Sequence, residues 1–305
     1  MNNSGFALIF VLVSLLTLSS LLINTFKNSS SMAIETKSLH QEYSADVISE
    51  HILPVAYHAI QSRQHDALLR GGQSVAIRDG KIVIFVSPCN SRLNINALHK
   101  DGEAKERFMK VFTDFLQDKR IKSSSLDLLY GWIGANNKDD LITPANYENK
   151  MYSPKKSKLF RPEEMRLVPG FEELPNTWIN DFFTVWGSDC LSININYASR
   201  EIILGLLPEL DQYWEMIADY RKDSAFISID QLVTEIGLDM ETYQDIMPFL
   251  TCSFDYVRVS AFIKQGAWIS KHRFIIRYNG LGSDEPFNVV THDIVDRRLR
   301  LPSTS

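Results

Sequence analysis

Charge is missing from the first 26 residues of this 305-residue chain, and Lys27 is the first charged side chain met. Within that stretch, Phe6 to Phe26 (FALIFVLVSLLTLSSLLINTF) also lacks glycine and proline. With nothing to break a helix and little to hold water, a solvated loop is excluded there. A helix of that length reaches roughly 31 Å, about the thickness of a bilayer's hydrocarbon core. Cysteine is nearly as scarce. Cys89, Cys190 and Cys252 are too few and too scattered for a disulfide scaffold. One pair can be bridged if the body lies in an oxidising compartment, and which pair stays open; small buried apolar side chains are the plainer reading. No CxxC and no His/Cys cluster points to zinc. Positive charge is not in excess either. A net charge of −5, with acids and bases interspersed, excludes a basic field for nucleic acid and reads as ordinary solvated surface.

Catalytic signatures are missing as well. The chain has no P-loop, no GxSxG and no HExxH. Seven histidines are scattered; His40, His51 and His58 fall near helical spacing and read as solvent-facing. A non-enzymatic role is therefore expected, with an enzyme site in the helical middle of the chain as a distant rival.

What is there is size and apolar content. At 45% hydrophobic, the chain can bury more than one core once the N-terminal run is set aside. Leu39, Tyr43 and Val47 recur four apart, as do Ile48 and Ile52, so one helix is expected from about residue 6 to 53, ending or kinking at Pro54. Its second half should pack against a head. SVAIRDGKIVIFVS flanks Asp79-Gly80 with two apolar runs, a type I′ hairpin signal with strands near 74–78 and 81–87. From about 93 to 252 the pattern is helical. Phe108, Val111, Phe112, Phe115 and Leu116 share a face, and Ser228-Ile229-Asp230-Gln231 forms a capping-box pattern. Asn94 and Asn96 open the first half of this region, and Asn194 and Asn196 open the second, with side chains suited to cap free N–H groups. Phe254, Tyr256, Val257, Val259 and Phe262 mark one strand and Trp268, Phe274, Ile276 and Tyr278 the next, with Gln265-Gly266 as the turn between them and a bulge expected between Tyr256 and Val257. FNVVTHDIV is a third strand or a tail. A helical region between two β segments reads as an insertion into a sheet completed from both sides.

The start of the chain narrows the class. Met1-Asn2-Asn3-Ser4-Gly5 precedes the apolar run. A cleaved secretory signal fits poorly, because the run is too long, the leader lacks Lys and Arg, and Ser29 to Ala33 offers only a weak cleavage site. A plain membrane anchor fits, and so does a prepilin-type leader, in which a short polar peptide ends in Gly before an aromatic first mature residue. Gly5-Phe6 matches that pattern directly. Counting from Phe6, the fifth mature position is Phe10, where pilins and most pseudopilins carry Glu. A carboxylate in a membrane helix is expensive and is kept only for a partner. The leader, the missing Glu and the ordered segments LNINAL, LLYGWIGANNKDD, EEMRLVPGF and ININYAS, followed by Arg221 and Phe226, together resemble the K-type minor pseudopilins of type II secretion systems. Gly134, Asn136 and Tyr197 depart from that family's pattern.

The resemblance implies an α+β fold with a long pilin-like transmembrane helix and an antiparallel sheet head carrying a large all-α insertion of two SAM-like bundles. The implied divisions are a leader at 1–5, a membrane helix at 6–26, a stem extension at 27–60, the first β part at 61–92, helical units at 93–191 and 192–252, and a C-terminal β part at 253–305. It implies cleavage between Gly5 and Phe6 by a prepilin peptidase, a single pass through the bacterial inner membrane with the body in the periplasm, and other minor pseudopilins as partners. The charge pattern at the N-terminus gives little help with orientation. Calcium is implied by the family alone, with Asp139, Asp140, Asp181, Asp189, Glu172 and Glu173 the nearest candidates and no ligand spacing to match. The alternatives are a membrane-anchored periplasmic binding module, or a minor pilin of a type IV pilus or competence machine. LVPGFEEL also resembles a DNA-reading helix-hairpin-helix, but the acids beside its Gly argue for a packing turn.

Overall fold

The computed structural model describes residues 4–61, 72–77, 80–99, 103–118, 121, 124–134, 147, 150–187, 191–266, 268–280 and 286–299. Helix α1 runs over Ser4–Gln61 without interruption and contains Pro54. It therefore does not stop at Pro54, contrary to the sequence expectation. The reason is on its other face. Ile52, Ala56 and Ile60, spaced four apart, are buried against the sheet while Pro54 and Val55 face solvent. An interior proline costs about 3 kcal/mol, and burying two isoleucines at about 1.5–3 kcal/mol each offsets it. Among the described side chains, the buried contact with the head is made here. Leu39 and Tyr43, expected under the head, are 60% and 70% exposed.

The head is one antiparallel sheet in the order β1-β2-β7-β8-β9, formed by Gln73–Ile77, Gly80–Pro88, Tyr256–Gln265, Trp268–Tyr278 and Phe287–Leu299. Two strands precede the helical region and three follow it. Strict alternation sends Ile82, Ile84 and Val86, then Val257, Val259, Ala261 and Ile263, then Phe274 and Ile276, toward α1. Two details differ from the sequence expectation. Ile77 pairs with Gly80, so Gly80 is a strand residue, and residues 78–79 lie outside the described residues. Glycine is demanded at position 80 by crowding, since a Cβ would sit 1.9 Å from the Lys264 carbonyl oxygen. The bulge is also elsewhere. β7 keeps register with both neighbours throughout, because Val257 to Ile263 hold one parity and Tyr256 simply faces the other way. The register shifts instead fall between β8 and β9, opposite Lys271/His272 and Ile275/Ile276. An edge strand is where such breaks discourage pairing with foreign strands.

Between β2 and β7 lie short strands and helices: β3 (Leu93–Asn94), α2 (Glu103–Asp118), α3 (Ser124–Ile133), α4 (Asn176–Phe182), β4 (Phe183–Thr184), β5 (Ile193–Asn194), α5 (Arg200–Leu206), α6 (Trp214–Asp223), α7 (Gln231–Thr234), α8 (Met240–Ile246) and β6 (Leu250–Thr251). On α2, Phe108, Val111, Phe112 and Leu116 are buried and Phe115 is half-buried. Two parallel two-residue ladders recur, β3 with β4 and β5 with β6, each pairing an Asn-x-Asn strand with the end of the stretch it opens. The stretches do not have separate cores. One apolar cluster runs from Leu93 to Leu250, and α5 crosses α2 so closely that a Cβ on Gly205 would lie 3.1 Å from Val111.

Candidate assembly surface

The stem presents a long uncovered apolar surface. Val11–Ala33 is long and apolar enough to cross a membrane, and none of it is buried by the rest of the chain. Gly5, Phe6 and Phe10 lie in the opening turns of α1; their side chains, and those of His40, His51 and His58, are outside the described residues. Beyond the apolar span, Leu39 and Tyr43 remain exposed, and Val47 is half-buried as the helix nears the sheet. A rod apolar over about a bilayer's thickness, with exposed apolar side chains beyond it and its described buried contacts with the head near its far end, has a surface left for other helices.

The four asparagines that sequence reasoning singled out form two matched devices. Asn94 and Asn194 each accept the N–H of the residue two places on, Asn96 or Asn196, at 3.0 Å, which closes an Asx turn. Asn96 and Asn196 do not cap a helix; each grips the main chain of a remote segment. The Asn96 amide accepts the Leu159 N–H at 2.8 Å and donates to the Leu159 and Val185 carbonyls. Asn196 accepts the Phe226 N–H at 2.7 Å and donates to its carbonyl at 2.9 Å. One side-chain amide thus satisfies both main-chain groups of a buried residue.

A polar joint that sequence reasoning missed fastens this helical body to the sheet. The Asn180 carbonyl at the end of α4 accepts from Arg92 Nε and from an Arg258 terminal nitrogen, both at 2.9 Å. Arg273 pairs with Glu163 at 2.8 Å, and Asn180 Nδ2 donates to the same Glu163 oxygen at 2.7 Å. Arg161 pairs with Asp293 on β9. Burial lowers the Arg258 pKa, with Arg92 adding to the effect, to about 9, so it stays charged at neutral pH. Burial opposes the charge of Glu163 too, but the Arg273 and Asn180 bonds outweigh it and hold the carboxyl below its ordinary value. The one available signal was Arg258 itself, a charge in the middle of the apolar strand YVRVSAFIKQ.

The remaining candidates disperse. Glu172 has both oxygens engaged, with the Gly170 N–H at 2.7 Å and Lys150 Nζ at 3.2 Å, while Asp181 and Glu173 face solvent. Among the described residues no three His, Cys, Asp or Glu converge as metal ligands. The described part of the calcium set therefore does not fit a site, and Asp139, Asp140 and Asp189 lie outside the described residues. In LVPGFEEL, Gly170 at φ +92° lies so close to Ser125 that a Cβ would be 2.1 Å from its Oγ. Its amide is already taken by Glu172, as a packing turn requires and a phosphate reader forbids. Cys89 is buried and Cys252 half-buried, and both are free thiols; Cys190 lies outside the described residues. Burial, with Asp230 nearby, pushes Cys252 up to about 11, which leaves it an inert thiol at neutral pH.

No family model matches this chain, and no curated protein matches it. Among solved structures, the crystal structure of the GspK-GspI-GspJ complex from the type 2 secretion system of enterotoxigenic Escherichia coli contains a chain of similar fold. The two align with a TM-score of 0.65 and 15% sequence identity, over 86% of this chain and 99% of that one. The α+β architecture built above, an N-terminal apolar helix on an antiparallel sheet interrupted by helices, is therefore a fold also found in a pseudopilin complex.

Proposed function

We propose that this chain is a minor pseudopilin at the tip of a type II secretion pseudopilus. There it initiates or caps assembly with other minor pseudopilins, for protein export across the outer membrane. The observation that carries this reading is the stem: one helix, Ser4–Gln61, apolar over a bilayer's thickness, exposed at Leu39 and Tyr43, and seated on a sheet by its last turns. The fold shared with a pseudopilin complex supports it. In this reading a prepilin peptidase cuts between Gly5 and Phe6, and Phe6 becomes the N-terminus of a helix held in the inner membrane, with the head in the periplasm. An acid at the fifth mature position would need a neighbouring amine. With Phe10 there instead, nothing is obliged to stack above this subunit, and the helical insertion is free to occupy the end of the filament.

The test is photo-crosslinking in living cells from p-benzoylphenylalanine placed at Leu39 or Tyr43 of the full chain, with Ile227, 87% exposed on the head, as control. Adducts from both stem positions to the N-terminal helices of other pseudopilins, absent from the Ile227 position, are expected. Stem positions that give lipid adducts alone would refute the reading.

A further inference from the structure

The sheet face opposite the stem carries a groove of about 500 Å³ between the strands and α4. Arg92, Arg258, Lys271 and Arg273 line it, against two carboxylates among the described lining residues, Glu163 and Asp181. One Glu163 oxygen pairs with Arg273 at 2.8 Å, and the other is buried without a hydrogen-bond partner. Arg258 is 7% exposed, and its Nε has no hydrogen-bond partner. A buried guanidinium left with an unpaired N–H and surplus like charge beside it is costly. Such a cost is expected where a ligand completes the site. An aromatic patch lies beside these charges. Phe85 and Phe262 are 42% and 36% exposed and pack edge to face at 5.7 Å, with Lys271 Nζ 4.8 Å from the Phe262 ring. Burial, with Arg273 and Arg258 beside it, lowers the Lys271 pKa, and Asp181 and Asp296 offset only part of that.

We propose that this groove binds an acidic polypeptide segment, its carboxylate set among Arg92, Arg258 and Lys271 and a neighbouring apolar side chain laid on Phe85 and Phe262. A single carboxylate suits the charge better than a phosphate, whose second negative charge would meet Glu163 and Asp181. A free inorganic anion also leaves the aromatic floor bare. A peptide fills both halves. The groove belongs to the head alone, so this proposal stands or falls apart from the filament assignment.

The test is calorimetric titration of the full chain in detergent micelles with acetyl-Phe-Glu-Phe-amide and with its Gln counterpart, at low ionic strength. The acidic peptide is expected to bind, and the Gln peptide about tenfold more weakly, the effect of about 1.4 kcal/mol. Lys271→Gln, at a half-exposed position where folding is not at stake, should bring the acidic peptide down to about the level of the Gln peptide. Ser260→Asp, which places a carboxylate in the groove, should do the same. Several results would overturn the proposal: equal binding of the two peptides, no binding of either at ~1 mM, or no effect of Lys271→Gln. So would inorganic phosphate or anionic lipid vesicles competing as well as the acidic peptide, since the groove would then answer to charge alone.

Discussion

Replacing Asn196 by alanine removes both main-chain partners of a buried residue at once. The Phe226 N–H loses its acceptor at 2.7 Å and the Phe226 carbonyl its donor at 2.9 Å. Asn196 and Phe226 are 4% and 2% exposed, so water does not reach either group to compensate. Each orphaned group costs about 1–3 kcal/mol, giving a loss of about 2–6 kcal/mol. At about 2–4 °C per kcal/mol for a body of this size, the Tm should fall by about 4–24 °C. Asn96→Ala should do at least as much, because it strands the Leu159 N–H and two carbonyls. Asn196→Asp keeps the Phe226 N–H bond but sets a carboxylate against the Phe226 carbonyl, and should be no milder than alanine. Circular dichroism melts of the full chain in detergent measure all three. Because the helical stretches share one apolar cluster, each variant should still melt in a single transition. A Tm shift below about 1 °C for Asn196→Ala, or separate melting of the 193–251 stretch, would refute the reasoning.

Other expectations follow from single contacts. Gly170→Ala places a Cβ 2.1 Å from Ser125 Oγ at φ +92°, and should cost more than the ~1–2 kcal/mol of a left-handed backbone alone; Ser125→Gly in the same chain should recover part of the loss in urea melts. Gly80→Ala, with its Cβ 1.9 Å from the Lys264 carbonyl, should break the β2–β7 pairing and expose amides near Lys264 and Gln265 to hydrogen exchange. Glu163 has its folded pKa held below the ordinary carboxylate value. The stability it contributes is therefore present above that ordinary value and is lost as pH falls through the lowered one. Glu163→Gln should accordingly be less stable at pH 7 and lose less on acidification, read from urea midpoints at the two pH values.

Patterns that repeat were legible in the residues. The charge-free run and its four-residue continuation announced α1, and alternation announced β7 and β8, because a buried face writes its period into the chain. The paired Asn-x-Asn segments were visible as a repeat. What they do was not, since their partners Leu159 and Phe226 are 63 and 30 residues away. Errors arose where a tertiary contact overrode a local rule. Pro54 ends helices in isolation, but the buried face of Ile52, Ala56 and Ile60 carries this one through. Gly80 beside Asp79 looked like a turn glycine and is instead a strand residue under a neighbouring carbonyl. The joint of Arg92, Arg258, Asn180 and Glu163 draws on four separated segments, and only the strand arginine hinted at it.

The proposed function requires that Met1 to Gly5 be removed as a prepilin leader and that the rest of α1 serve as a filament stem. Intact-mass and N-terminal sequencing by mass spectrometry of the chain extracted from membranes tests this most directly. A mature N-terminus at Phe6, with or without an N-methyl group and only when a prepilin peptidase is present, is the predicted result; an intact Met1, or a start near residue 34, would contradict it and leave a plain anchored or secreted body.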